Sequence, residues 1–240
     1  MPEERRFLPA RLAARESAGG GLVRIVLEPA PELLPTYVAP GQYVEMRAAG
    51  ETGFFVLASD PGSDPWQLVM RSGGGASDVV LVAPVGSMVE LTGALGDGFP
   101  MTEARGQTLV VVLHGTGVAA GPPLVGARIR DGDVATTTVL VGVRVEGELP
   151  MADELLSWAA AGVDVTVCLS QGDPAAIDAR LGTVPGYVQD VLREQVASRA
   201  LRLEPDRTLV FAVGGASVVD ALRRVAPTLG LPPERVRSNY

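Results

Sequence analysis

The 240-residue sequence predicts a chain of α/β plus all-β class: a six-stranded antiparallel β-barrel over residues 1–103, then a parallel α/β domain over 104–240. Three observations carry this expectation. Up to residue 100, short stretches rich in Val, Leu and aromatic residues are separated by Gly, Pro, Asp and Ser, the punctuation of a small barrel or sandwich. From residue 107 onward, uninterrupted apolar runs alternate with helix-length segments, the pattern of parallel strands covered by helices on both faces. Between them, Pro100–Gly106 is polar and turn-rich.

In the first part the strands read as Leu8–Glu16, Gly21–Glu28, Gln42–Arg47, Phe54–Ser59, Trp66–Arg71 and Met88–Thr92. One helix is expected around Ser77–Ala83, with Ser77 or Gly75 near its start. In the second part Thr108–Leu113, Thr138–Val143, Val163–Ser170 and Arg207–Val213 read as buried strands. Helices are expected over Val118–Arg130, Met151–Ala161, Tyr187–Ser198 and Ser217–Leu229. Crossovers between parallel strands are right-handed, and ligands of such sheets bind at the carboxyl ends of the strands.

Composition narrows the function classes. The chain is 47% hydrophobic and 20% charged, so it can bury a core. Its net charge of −8, without a dense Lys/Arg run, argues against a nucleic-acid or anionic-membrane surface. Cys168 is the single cysteine, which excludes an intrachain disulfide and a cysteine-ligated cluster or zinc site built by this chain alone. No apolar run of about 18 residues exists to span a membrane, and MPEERRFLPARL has no signal-peptide core. The expected location is cytoplasmic, with no metal. One histidine, no H-E-x-x-H, no G-x-S-x-G and no Walker lysine leave hydrolase and P-loop chemistry without their parts.

The stretch TLVVVLHGTGVAAGPPLV, residues 108–125, runs a buried strand into a glycine-rich turn before a helix. Unpaired N–H groups and the helix dipole favour anions there. The spacing is G-x-G-x-x-x-G (Gly115, Gly117, Gly121), which departs from the G-x-G-x-x-G dinucleotide fingerprint.

Seven further segments, in order, bear a family likeness: P-G-Q-Y-V (Pro40–Val44), R-S-G-G-G-A-S (Arg71–Ser77), G-A-L-G-D-G-F (Gly93–Phe99), H-G-T-G-V (His114–Val118), G-V-R with D-E-L (Gly142–Arg144, Asp153–Leu155), G-Y-V-Q-D-V-L (Gly186–Leu192) and the ending P-P-E-R-V-R-S-N-Y. Together they resemble the ferredoxin–NADP reductase-like flavoprotein family along the whole chain. The resemblance implies an FAD-binding barrel and a Rossmann-like NAD(P)-binding domain. It implies hydride transfer from NAD(P)H to FAD, with electrons passed to a redox partner protein or complex subunit. For flavin it points to Phe55, Val56 (through its backbone N–H), Gly74, Gly75, Ala76 and Ser77. Arg71 would supply phosphate charge. For the nicotinamide nucleotide it points to Gly115, Thr116, Gly117, Arg144 and Gly214, with NAD and NADP both open. Tyr240 is either a ring over the flavin or a frayed end.

Three departures from the family pattern bear on function. Where the family has R-x-[YF]-[ST], this chain has G-F-F-V, Gly53–Val56, keeping the ring and losing the phosphate-binding Arg and the hydroxyl. Together these would lower affinity by about 3–5 kcal/mol. Where the family has C-G-P, this chain has V-G-G, Val213–Gly215, and His114 replaces the first loop glycine. Ordinary readings stand beside each role: Phe55 as barrel core, Arg71 as a solvated strand end, His114 as a loop residue without a role, Arg144 as a surface ion pair. Asp153 and Glu154 read as helix-dipole partners and Cys168 as an inert buried thiol. Two functions remain open: a flavin-dependent reductase subunit, or a catalytically degenerate scaffold that binds partners without flavin.

Overall fold

The computed structural model describes residues 5–239; Tyr240 lies outside the described residues. β1 (Leu8–Gly19), β2 (Leu22–Pro29), β3 (Tyr43–Ala48), β4 (Glu51–Val56), β5 (Trp66–Met70) and β6 (Met88–Leu91) form one antiparallel sheet ordered β4-β3-β6-β1-β2-β5. Its edges meet beyond β4, where Leu57 bridges Leu68 and the Ala58 N–H donates to the Gln67 carbonyl at 2.7 Å. The sheet thereby closes into a barrel and leaves no open edge on that side. Strand periodicity turns alternate residues inward, so Val44, Met46 and Ala48 of β3 join Leu12, Ile25, Leu27, Trp66 and Leu68 in the barrel core. The helix α1 (Ala76–Val82) adds Ala76 and Val80 to the same core.

The fourth strand begins and ends earlier than the sequence suggests. Ala49 (φ 47°) and Gly50 (φ 84°) make a two-residue hairpin turn, and an alanine in left-handed conformation gives no turn signal. The expected Phe54–Ser59 strand stops at Val56 because Leu57 and Ala58 change partners to close the barrel.

The second sheet is parallel throughout. Its strands are β7 (Thr108–His114), β8 (Thr137–Val143), β9 (Asp164–Leu169), β10 (Gly182–Pro185), β11 (Thr208–Val213) and β12 (Val236–Ser238), ordered β10-β9-β8-β7-β11-β12. β10 and β12 escape sequence reading because they have four and three residues and include Gly182, Pro185 and polar Arg237 and Ser238. The helices are α2 (Met101–Ala104), a short turn inside the seam, then α3 (Gly121–Asp131), α4 (Ala152–Ala160), α5 (Val188–Ala197) and α6 (Ala216–Val225). β7 shows why its run is apolar throughout: Leu109, Val111 and Leu113 pack towards α3 and α4, Val110 and Val112 towards α5 and α6. The chain builds outward from β7 through β8, β9 and β10, then returns to lay β11 on the other side of β7. That reversal opens a crevice at the carboxyl ends of β7 and β11.

Two features hold this frame. Arg128 of α3, fully buried, donates to the carbonyls of Ala104 and Gln107, the hydroxyls of Thr136 and Thr137, and the Asp133 carboxylate. The core around α3 and α4 also runs without a break into the barrel, through Ala18, Leu22, Ala58, Val69 and Phe99. Phe99 stacks on Phe211 with centroids 4.6 Å apart. Ion pairs Asp60–Arg130 (2.9 Å) and Arg24–Glu154 join the two parts. Glu154, read from sequence as a dipole partner alone, is thus also a clamp across the seam.

Candidate functional site

The crevice at the strand ends faces the barrel, and two adjoining cavities lie between them. The first, of about 420 Å³, is walled by Tyr43, Phe54, Phe55 and Val56, by Val69, Met70, Arg71 and Ser77, and across the seam by Thr116, Gly117, Val213, Gly214 and Asn239, with Arg5 at its rim. The second, of about 640 Å³, is walled by Arg71, His114, Gly115, Thr116, Gly142, Val143, Arg144, Glu148 and Gly215, with Gly20, Leu22 and Pro150. Arg71 and Thr116 border both.

Local sequence explains each wall. In P-G-Q, Gly41 has φ 88°, and a side chain there would meet the Phe99 ring at 2.4 Å. Gln42 accepts from the Val38 and Ala39 amides at 2.8 and 3.0 Å and donates to the Gly96 carbonyl at 2.9 Å. Asn239 donates to the Gly41 carbonyl at 3.1 Å, which brings the end of the chain to the first cavity. Phe55 packs its ring over Gly53, where a Cβ would lie 2.9 Å from it, and against the barrel core. The neighbouring Phe54 is 58% exposed, edge-on to Tyr43 at 5.9 Å, with the Arg5 guanidinium 5.4 Å from its ring. Phe54, Tyr43 and Asn239 are wall residues that motif reading passed over; the aromatic pair in G-F-F-V was the available signal.

The loop of R-S-G-G-G-A-S is organised by Asp78. Its carboxylate accepts from the Ser72 hydroxyl at 2.7 Å and from the Gly73 and Gly74 amides at 3.0 and 2.9 Å. The Ser72 hydroxyl first, then the Gly73 amide, holds this carboxyl below its ordinary range. The Gly74 amide is therefore committed within the protein. Gly75, at φ 62°, passes so close to β4 that a Cβ would meet the Thr52 carbonyl oxygen at 2.6 Å. Ala76 is buried, and its amide and that of Ser77 have no acceptor among the described residues outside α1. Ser77 donates its hydroxyl to the Gly74 carbonyl at 2.7 Å.

On the opposite wall, Gly115–Ala120 coils as a tight 3₁₀ turn, and α3 starts at Gly121 rather than at Val118. Gly117 is needed for this packing: a Cβ there would lie 2.4 Å from the Val213 carbonyl oxygen. Gly121, the third glycine of the stretch, makes room for Trp158, 2.6 Å from a hypothetical Cβ, which is a packing role. His114 stands between Gly142 and Gly214, whose hypothetical Cβ atoms would lie 3.2 and 3.0 Å from it. Burial first, then the Arg71 charge, push its imidazole below the usual range. Arg144 lines the second cavity and is ion-paired with Glu148 at 2.6 Å. Cys168 is buried on β9, outside both cavities, with its thiol pushed up to about 12.

The residues suit a flavin and a nicotinamide nucleotide unequally. Flat apolar and aromatic walls suit a heteroaromatic ring. Among the described residues of this loop and its neighbouring strand, the donors left free for a diphosphate are the Gly75, Ala76 and Ser77 amides and Arg71, with no charge at Gly53.

No protein-family model matches the chain. It is 24% identical over 250 aligned positions to fruit protein pKIWI502 of Actinidia deliciosa, covering 96% of this chain and 74% of that one. It is 28% identical over 174 positions to the electron transfer subunit of dihydroorotate dehydrogenase B (NAD(+)) of Shouchella clausii, covering 68% of this chain and 61% of that one. Among solved structures, a ferredoxin NADP+ reductase from Neisseria gonorrhoeae with bound FAD and NADP superposes with a TM-score of 0.78 at 15% identity, each chain covered to 98%. The fold is that of the ferredoxin–NADP reductases. No helix among the described residues is long and apolar enough to cross a membrane.

Proposed function

We propose that this chain is the reductase module of an electron-transfer system, taking hydride from NADH or NADPH onto FAD and passing electrons to a partner protein. One observation carries the reading: two nucleotide-sized cavities share a wall, Arg71 and Thr116, at the switch point of a parallel sheet facing a closed barrel. That is the juxtaposition hydride transfer between two flat rings requires. The dihydroorotate dehydrogenase subunit and the Neisseria reductase make the same use of the fold plausible.

FAD, when bound, supplies the two-electron to one-electron conversion. The chain's own residues bind, orient and exclude water. Phe55, Val56 and Met70 line the barrel side of the first cavity and would hold the flavin ring, with Val56 offering its backbone N–H. Ala76 and Ser77 offer their amides, and Arg71 its charge, to the flavin diphosphate. Gly115, Thr116 and Gly117 would offer backbone to a nicotinamide nucleotide, Arg144 would offer its charge, and Gly214 would leave room for the ring beside β11. The electron acceptor lies outside these two domains, because Cys168 alone cannot ligate a cluster. The proposed compartment is the cytoplasm.

A second reading is favoured by Gly53, Val56 and the Asp78-filled amides: the same scaffold serving as a binding subunit without flavin. Incubation with FAD followed by gel filtration and an absorbance spectrum separates the two. Retained flavin bands together with NAD(P)H oxidation by a dye support the reductase. A colourless protein that ignores added FAD refutes it and leaves the scaffold.

A further inference from the structure

The walls of the two cavities carry three arginines, and two are already engaged. Arg5 is paired with Glu45 at 2.5 Å and Arg144 with Glu148 at 2.6 Å. Arg71, exposed at the end of β5, has no carboxylate within 4 Å and no hydrogen-bond partner among the described residues. It borders both cavities, and its charge reaches across the second one, depressing the titration of both His114 and Glu148. Where the family motif would place a separate arginine for the flavin diphosphate, Gly53 has none.

We propose that Arg71 is a single phosphate-binding cation shared by the two nucleotide sites, and that it makes their occupancy mutually antagonistic. The proposal rests on the reading of both cavities as nucleotide sites. A diphosphate in either cavity draws the guanidinium towards itself through charge-assisted hydrogen bonds. The second diphosphate then meets a partly neutralised cation and the charge of its neighbour. No other unpaired arginine on these walls offsets that repulsion. By linkage the effect is reciprocal: the factor by which NAD+ weakens FAD equals the factor by which FAD weakens NAD+. Nothing in the fold requires Arg71, since it packs no core and satisfies no buried group, so its replacement leaves the scaffold intact.

The test uses the whole chain and non-reacting ligands. FAD is titrated by its fluorescence change with and without saturating NAD+, and NAD+ is titrated calorimetrically with and without FAD. In the native chain each ligand weakens the other by about fivefold or more, equally in both directions. In Arg71→Gln each separate affinity falls by about tenfold or more, and the mutual weakening falls by about half or more, to what direct repulsion between the diphosphates leaves. Arg71→Lys, which keeps a point charge, retains most of the antagonism. Thermal unfolding of each variant checks that the fold is kept. Independent binding, mutual strengthening, or a loss confined to one ligand in Arg71→Gln overturns the shared cation while leaving the two-site reading in place. If the native chain binds neither ligand, the two-site reading falls, and the shared cation with it.

Discussion

Replacing Gly117 by alanine tests whether the turn after β7 is pressed against β11 as described. The new Cβ would lie 2.4 Å from the Val213 carbonyl oxygen, 2.6 Å from its carbon and 2.8 Å from the Gly214 nitrogen. All three are backbone atoms, so no side chain can swing away. Ordinary contact begins near 3.5 Å, so turn and strand must part by about 1 Å. Overpacking of this kind destabilises by about 1–3 kcal/mol. For a chain of this size that lowers the melting temperature by about 2–12 °C. The amides of Thr116 and Gly117 move with the turn, and losing one charge-assisted hydrogen bond to a nucleotide weakens binding by about 10- to 100-fold. Circular-dichroism melting and calorimetric titration with NAD+ measure the two effects. Gly126→Ala is the control on the adjoining helix, where the nearest atom belongs to the exposed Arg130 guanidinium at 3.2 Å, paired with Asp60; the gain in helix propensity and the shift of that pair oppose each other, so its melting temperature should change far less than that of Gly117→Ala. A Gly117→Ala protein that melts with the native chain and binds NAD+ equally well would refute the close approach.

Arg128→Met should destabilise by about 3–5 kcal/mol, because it strands two carbonyls and the Asp133 carboxylate around a fully buried site; urea unfolding measures it. Val56→Ser restores a hydroxyl on the first cavity's wall and should tighten FAD by about five- to tenfold in the same fluorescence titration. Cys168 should resist a thiol reagent at pH 8 until the chain is unfolded, since burial pushes its thiol up to about 12. The folded value stands above the unfolded one, so the stability linked to the neutral thiol is complete below about pH 8.5 and drains as pH rises towards 12. Cys168→Ser should flatten that alkaline limb in melts taken between pH 8 and 11.

The architecture was legible because its signals are long and periodic. Leu109–Leu113 cannot be anything but a strand buried on both faces once helices of amphipathic length flank it, and the alternation in β3 fixes which side of the barrel is wet. What stayed hidden was short or carried by tertiary contact. Nothing in Gly182–Pro185 announces a strand until β9 lies beside it, and an alanine with φ 47° conceals the β3–β4 hairpin. In the site, Phe55 could be chosen only through the family resemblance and Thr116 through the glycine-rich turn between strand and helix, whereas Asn239 reaches the cavity through its hydrogen bond to the Gly41 carbonyl, a contact between residues far apart in sequence. The engagement of Gly73 and Gly74 by Asp78 was equally invisible. An aspartate in the first turn of a helix reads as a dipole partner, and only the loop's backward fold turns its carboxylate onto those amides.

The departures at the first cavity remove polar groups and keep apolar wall. Gly53 removes a charge, and Asp78 consumes two amides and a hydroxyl; all of these act where a diphosphate would lie. The apolar walls that would hold a ring keep Tyr43, Phe54, Phe55 and Met70, and Gly117 and Gly214 keep the opposing backbone bare, while Val56 and Val213 lack the hydroxyl and the thiol of the family motifs. A cavity altered at random would lose apolar wall as readily as polar grip. On the proposed function, such a site would recognise a flat ring and hold the phosphates loosely, with Arg71 the one unpaired arginine on these walls among the described residues. An arrangement of that kind suits a flavin that exchanges with solution better than one locked in for the life of the protein. Under the shared-cation proposal, control of flavin occupancy would rest on Arg71, which borders both cavities.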